Sequence, residues 1–159
     1  MMKASLKTGL SFGLTSGVIT TLGLMMGLHS GTHSRTVVIG GIVTIAVADA
    51  LSDALGIHIA EESKSNGKVS EIWESTIATL VAKFLIAITF VAPVLWLPLE
   101  DAMIVSVVWG LSLLAVLSYL LARAQQIPAW KVITEHVVIG ISVIASTHYI
   151  GDWIHSELG

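Results

Sequence analysis

The sequence has no cysteine and few charged residues. Of its 159 residues, only 12% are Asp, Glu, Lys or Arg, whereas 54% are hydrophobic. The missing thiols exclude disulfides, thiolate metal ligands and thiol catalysis. Soluble domains carry about 25% charged residues, so this chain has too few polar side chains to cover a water-facing surface. We expect its apolar excess to face lipid, which excludes an ordinary cytosolic enzyme and a disordered tail.

The chain also lacks an excess of positive charge. Its formal net charge is -3, whereas nucleic-acid binding requires a concentrated basic face. We therefore expect no nucleic-acid partner. We also expect neither enzymatic activity nor a resident cofactor.

No polar stretch is long enough for a soluble domain. A bilayer core requires about 20 apolar residues per helix, and five such segments lie between short polar breaks. The predicted spans are residues 9–28, 36–60, 73–97, 102–122 and 130–154. The sequence thus predicts an all-α integral membrane protein in which residues 1–159 form a single transmembrane domain. No Ala-x-Ala-like site follows the first segment, so we expect a spanning helix there rather than a signal peptide.

The positive charges predict the orientation of these helices, because Lys and Arg near helix ends are retained in the cytoplasm. Six of the eight lie at breaks on one side, Arg35 lies on the other, and Lys83 lies inside a segment. This predicts an N-terminus inside and a C-terminus outside. Four tryptophans fall at predicted helix ends, where indoles anchor a helix at the lipid headgroups. They are Trp73, Trp96, Trp130 and Trp153.

Glycines recur every four residues in the first segment. Small residues at this spacing allow helix backbones to approach closely. One interpretation is tight packing, and the other is a helix that slides during transport. The two runs, which should lie on different helix faces, are Gly9, Gly13 and Gly17, then Gly23, Gly27 and Gly31.

Three ionisable residues lie where charge is costly. Asp49 and Asp53 are four residues apart in the second segment and should share one helix face. Lys83 lies near the middle of the third segment, and each such group costs roughly 3 kcal/mol on insertion scales. An Asp–Lys pair that pins the two segments is one interpretation. We favour a site for a cation and a proton, because one carboxylate would suffice for pairing and two cannot both ionise cheaply in low dielectric.

Neighbouring side chains extend this candidate site. Ser16 and Ser52 could contribute hydroxyl oxygens, and Met25 or Met26 could offer a thioether to a transition metal. The methionines could equally serve packing alone. Lys83 could act as a tethered cation that occupies the site after the metal has left.

Weaker metal candidates lie at both ends of the predicted helices. The cytoplasmic group could collect cations or simply form solvated helix ends paired with lysines; it comprises His58, Glu61, Glu62, Glu71 and Glu74. At the outer end, polar residues follow an i, i+4, i+7 pattern that suits either ligation or a membrane boundary. They are His148, Asp152 and His155.

Two stretches resemble the vacuolar iron transporter family. Residues 13–24, GLTSGVITTLGL, resemble that family's Gly-Leu-x-Asp-Gly-x-x-Thr opening helix. Residues 50–56, ALSDALG, are similar to its Ala-Ile-Ser-Met-Gly-Leu-Gly stretch in helix two. The resemblance implies five spans, a homodimer and export of ferrous iron or manganese from the cytosol by proton antiport. It also implies a prokaryotic plasma membrane or a eukaryotic vacuolar or similar endomembrane.

The chain departs from the family pattern at the site. Ser16 stands where the family has a metal-path aspartate, and Asp53 stands where it has a methionine. The family's helix-two glutamate aligns with about Ile45, so Asp49 is the nearest carboxylate. The family's cytoplasmic metal-binding domain is missing between helices two and three. The ligand set is therefore rearranged, and we expect Asp49 and Asp53 to be the metal ligands and proton acceptors.

Two alternatives stay open. The protein could carry another cation or a small solute on the same fold, since Lys83 stands beside two aspartates. It could also be a non-transporting membrane protein in which these residues form only a salt-bridge network. An intramembrane aspartyl protease fits poorly, because both aspartates lie on one helix and no Gly-x-Gly-Asp motif is present.

Overall fold

A computed structural model describes residues 3–64 and 68–158. It is 92% helical, and the described residues contain no strand. Part of the predicted polar break at 61–68 lies outside the described residues. The helices are α1 (Ala4–Thr32), α2 (Arg35–Glu62), α3 (Val69–Thr89), α4 (Val91–Trp96), α5 (Leu99–Gln125) and α6 (Ala129–Leu158).

Five helical segments are long and apolar enough to cross a membrane, as the sequence predicts. Four are single helices, and the third along the chain, Val69–Trp96, joins α3 and α4 across Phe90. Pro93 explains this interruption, because proline has no N–H to donate to the carbonyl four residues earlier. The Phe90 N–H instead donates to Ala87 O at 3.2 Å, one residue closer than in a regular α-helix.

The helices extend beyond the predicted spans, so the connections are shorter than the polar breaks indicated. Only His33 and Ser34 separate α1 from α2, and only Leu97 and Pro98 separate α4 from α5. Polar residues at a helix end remain helical because their backbone groups still form hydrogen bonds along the helix. For example, the backbone carbonyl of His29 accepts from the N–H of His33 at 2.8 Å. The four end tryptophans are exposed on the outside of the bundle, as headgroup anchors require.

The two glycine runs of α1 face two different helices, as their spacing predicts. A β-carbon at Gly13 would lie 2.7 Å from Thr79 O of α3, and one at Gly27 would lie 3.3 Å from Thr147 O of α6. Side chains at these positions would push the backbones apart, so the glycines permit close packing within one chain. The result places α1 at the centre of the bundle, between α3 and α6.

The helix α2 packs through a stripe of small residues, with Ala46, Ala50 and Ala54 all buried. Its opposite face carries exposed valine, leucine and isoleucine side chains. The least covered segment is α6, with 11% of its most apolar stretch buried. These apolar outer faces are the surface that an integral membrane protein presents to lipid.

Candidate transport site

Lys83 lies inside the bundle, and the residue is 1% exposed. Its ammonium nitrogen lies 2.6 Å from Asp49 Oδ2, forms a second ion pair with Asp53 Oδ2 and donates to Ser16 Oγ at 2.9 Å. Of the three donors of the ammonium, two have hydrogen-bond acceptors, on Ser16 and Asp53, and Asp49 is an ion-pair partner. The sequence left open which aspartate contacts Lys83, and the structure pairs it with both.

The two carboxylates have different surroundings. Asp53 Oδ2 accepts a hydrogen bond from Ser16 Oγ at 2.7 Å in addition to that from Lys83. Asp49 Oδ2 has the Lys83 ammonium as an ion-pair partner, but the geometry is not that of a hydrogen bond, and no other described residue donates to it. Asp53 is therefore held by two helices besides its own, and Asp49 by one.

Three helices bring these groups together near the midpoints of α2 and of the segment formed by α3 and α4. Asp49 lies midway along α2, and Lys83 lies midway along the segment formed by α3 and α4. Gly17 of α1 makes the approach possible, because a β-carbon there would lie 3.3 Å from both Cα and Cγ of Lys83. The alanine stripe brings the α2 backbone close to the bundle, and the aspartates flank that stripe.

A groove between α1 and α2 leads to Asp49. It has a volume of about 470 Å³ and is lined almost entirely by apolar groups, with Thr44 and Asp49 as its polar side chains. Its other lining residues include Leu28 near the end of α1 and Val37 near the start of α2. The groove therefore runs from the predicted outer end of the bundle to the middle of α2, where Asp49 lines it and Asp53 does not.

The remaining predicted members of this site lie apart from Lys83. Ser52 is exposed on α2, about 100° around the helix from Asp53. Met25 is fully buried in the hydrophobic core, among residues such as Leu22 and Phe90. Met26 lines a second cavity on another side of α1. Met25 therefore contributes to packing, the alternative that the sequence had left open.

The cytoplasmic candidates are distributed among separate contacts. Glu61 pairs with Lys64 at 2.6 Å, and Glu74 accepts from Ser5 Oγ at 2.7 Å and lies 3.3 Å from Lys3 Nζ. His58 contacts Thr76 Oγ1 at 3.0 Å. Glu62 and Glu71 are exposed. This arrangement resembles paired, solvated helix ends more than a shared cation site.

Polar residues cluster at the opposite end, where α1, α5 and α6 meet. His29 Nε2 lies 3.1 Å from Glu100 Oε1 across α1 and α5, and His148 contacts Ser30 and lies 3.4 Å from Asp152. A cavity of about 320 Å³ is lined by His29, Glu100 and His148. His155 lies outside it, with its ring centroid 5.2 Å from that of His33.

The spacing of polar residues along α6 indicated His148 and Asp152. It could not indicate Ser30, the partner of His148 on α1, or the nearby His29–Glu100 contact between α1 and α5. Glu100 and Ser30 complete this outer cluster, and the only signal for Glu100 was its place in a polar break. Throughout residues 3–64 and 68–158, no group of three or more His, Asp or Glu side chains is arranged to hold a metal ion.

The fold and the site define the class of protein: a helical membrane protein with five membrane-length segments and two aspartates around one buried lysine. Comparison of the sequence with models of known protein families and with curated proteins gives no match.

Proposed function

We propose that this protein is a proton-coupled transporter that exports a divalent transition metal, ferrous iron or manganese, from the cytosol. The observation that carries the proposal is the Lys83 ammonium, shared by Asp49 and Asp53 at the middle of the membrane segments. Ionisable groups at this depth are costly and typically serve ion or proton pathways. The resemblance of residues 13–24 and 50–56 to the vacuolar iron transporter family supports the choice of metal and a homodimer. The distribution of Lys and Arg supports the N-inside orientation.

The charge of the cluster explains how protons and a divalent ion could exchange. With all three groups ionised the cluster carries one excess negative charge, so a proton on one carboxylate makes it neutral. A divalent cation between two ionised carboxylates is neutral as well, provided that Lys83 loses its proton. Entry of the metal then expels the carboxyl proton and the ammonium proton. The positive charge that enters equals the positive charge that leaves.

In this scheme Lys83 occupies the site when no metal is bound. The protein ligands available to a metal are then the two carboxylates and the Ser16 hydroxyl. Carboxylate and hydroxyl oxygens suit manganese and ferrous iron better than softer ions. The groove between α1 and α2 leaves Asp49 open to the outside of the bundle, which supports access to this side of the site.

The experiment is uptake of Mn²⁺ and Fe²⁺ into proteoliposomes under an imposed pH gradient. We expect gradient-dependent flux in the native protein and at least a tenfold loss in the Asp49→Asn/Asp53→Asn variant. Asp101→Asn is the matched control, because Asp101 is an exposed carboxylate at the start of α5, and it should transport normally. Absence of flux from well-folded native protein would refute the metal-export proposal.

A structural role is the second candidate, favoured by the contacts of Lys83 with Asp49, Asp53 and Ser16, which lie on two other helices. Closed networks of this kind can hold helices together without transporting anything. This candidate predicts that no cation moves and that Asp49→Asn lowers stability substantially. The transport proposal predicts a folded but inactive Asp49→Asn protein.

A further inference from the structure

The cavity at the outer cluster contains two methionines that the proposed function does not use. Met26 of α1 and Met103 of α5 both line it, and Ile104, Val107 and Val108 form an apolar part of its wall. Met103 is 4% exposed. Thioether groups from two different helices therefore border one cavity of about 320 Å³.

His29 lines the same cavity and has one ring nitrogen without a partner. Its side chain is 9% exposed, and its Nε2 atom lies 3.1 Å from Glu100 Oε1. An ionised carboxylate only accepts hydrogen bonds, so this contact places the imidazole proton on Nε2 and leaves a lone pair on Nδ1. The Nδ1 atom is buried, and no described residue forms a hydrogen bond with it. Histidines that bind a metal commonly donate their other N–H to a carboxylate in this way.

The positions of these side chains favour a shared ligand. Met26 lies three residues before His29 on α1, so the two residues share a helix face. Helical side chains lean toward the N-terminus of their helix, which directs the His29 ring over the turn that contains Met26. His148, the other imidazole of the cavity, already contacts Ser30 and Asp152. The donors that remain are two sulfur atoms and one nitrogen atom.

This donor set selects the class of ligand. Thioether sulfur is a soft ligand that favours Cu⁺, whereas manganese favours carboxylate, carbonyl and water oxygens. Throughout residues 3–64 and 68–158, no three His, Asp or Glu side chains are arranged around a metal position, which argues against a harder divalent ion at this cavity. Methionine sulfur stands outside that set of ligands.

From these observations we infer that Met26, Met103 and His29 Nδ1 form a binding site for a soft monovalent metal ion, Cu⁺ or its analogue Ag⁺. Glu100 is a positioning residue that fixes the His29 ring through Nε2. The site is separate from the Lys83 cluster and does not rest on the proposed function.

Silver provides the first test, because Ag⁺ shares the ligand preference of Cu⁺ and is stable in air. The purified full-length protein in detergent and chloride-free buffer would be titrated with AgNO₃ in a calorimeter. We expect saturable binding of one Ag⁺ per chain and at least tenfold weaker binding in both Met26→Leu and Met103→Leu. Leucine is close to methionine in volume but has no sulfur, and melting temperatures of the metal-free variants verify that each is folded.

Met25 provides the matched control, because it is adjacent to Met26 in sequence but packs in the hydrophobic core. Met25→Leu should bind Ag⁺ as tightly as the native protein, and a hundredfold excess of MnCl₂ should not displace the ion. The inference would be overturned by a native protein that binds no Ag⁺, by equal weakening in Met25→Leu, or by unchanged affinity in the Met26→Leu/Met103→Leu variant. Displacement by Mn²⁺ would overturn the assignment to a soft ion.

X-ray absorption at the copper edge tests the ligands directly. For protein loaded with Cu⁺ and kept reduced under argon, we expect two sulfur neighbours and one nitrogen neighbour, with the nitrogen lost in His29→Phe. A copper environment without sulfur, or one that His29→Phe leaves unchanged, would contradict the site. Absence of Mn²⁺ and Fe²⁺ flux would refute the proposed function alone, since binding is measured without transport.

Discussion

Gly17 of α1 lies directly against Lys83 of α3, and the absence of a side chain at position 17 allows the lysine to reach its acceptors. A β-carbon at Gly17 would lie 3.0 Å from Ile86 Cγ2 and 3.3 Å from Lys83 Cα. The glycine spacing of α1 and the charged cluster are thus parts of one arrangement. Closer helix packing is what brings Ser16 within hydrogen-bond distance of Lys83.

Enlarging Gly17 should therefore destabilise the protein. We expect Gly17→Val to cost about 1–3 kcal/mol by overpacking and to lower the melting temperature in detergent. Gly40→Val is the matched control, because a β-carbon at Gly40 would have nothing within 4 Å apart from its chain neighbours and the nearby backbone of its own helix. Equal melting temperatures for the two variants would show that the α1–α3 contact is not tight.

Removing the ammonium should be more damaging than removing one carboxylate. Lys83→Met leaves two partly exposed carboxylates without a cation. Breaking a fully buried pair costs about 3–5 kcal/mol, which is the upper limit of the loss we expect here. Adding Asp53→Asn to Lys83→Met should recover part of that loss, because one unpaired charge is gone. A double-mutant cycle on unfolding free energies measures the coupling, and strictly additive effects would exclude a direct interaction.

Of the two residues in the His29–Glu100 contact, the histidine should contribute more to the stability of the protein. His29 is buried whereas the Glu100 side chain is 74% exposed. We expect Glu100→Gln to cost less than about 1 kcal/mol, as exposed pairs do, and His29→Ala to cost more because it also leaves a gap. Thermal unfolding of both variants tests this order. A larger loss of stability in Glu100→Gln than in His29→Ala would contradict the prediction.

The glutamates at the predicted cytoplasmic end should not be required for transport. Glu61 is paired with Lys64, and Glu62 and Glu71 are exposed and separate. Replacing Glu61, Glu62 and Glu71 together by glutamine should therefore change the KM for Mn²⁺ uptake by less than twofold. A tenfold rise in KM would instead establish this group as a cation-collecting site.

The sequence predicted the number of spans and the residues of the central cluster, because long apolar runs and charges within them are local signals. It could not predict that Lys83 reaches both aspartates. Rotation of each helix about its axis is set by packing, and a uniformly apolar helix contains little periodic information about it. The break at Phe90 depends on a hydrogen bond lost at Pro93, and the Ser30–His148 contact joins residues far apart in the chain.

The account is tested most directly by the movement of protons that Mn²⁺ causes. Vesicles containing the protein and the pH-sensitive dye pyranine would receive external MnCl₂, with the membrane potential clamped by K⁺ and valinomycin. Exchange of equal charge predicts that the lumen becomes alkaline as Mn²⁺ enters, that the clamp changes nothing, and that Asp49→Asn abolishes the response. Entry of Mn²⁺ into native vesicles without any change in internal pH would contradict proton coupling at this cluster.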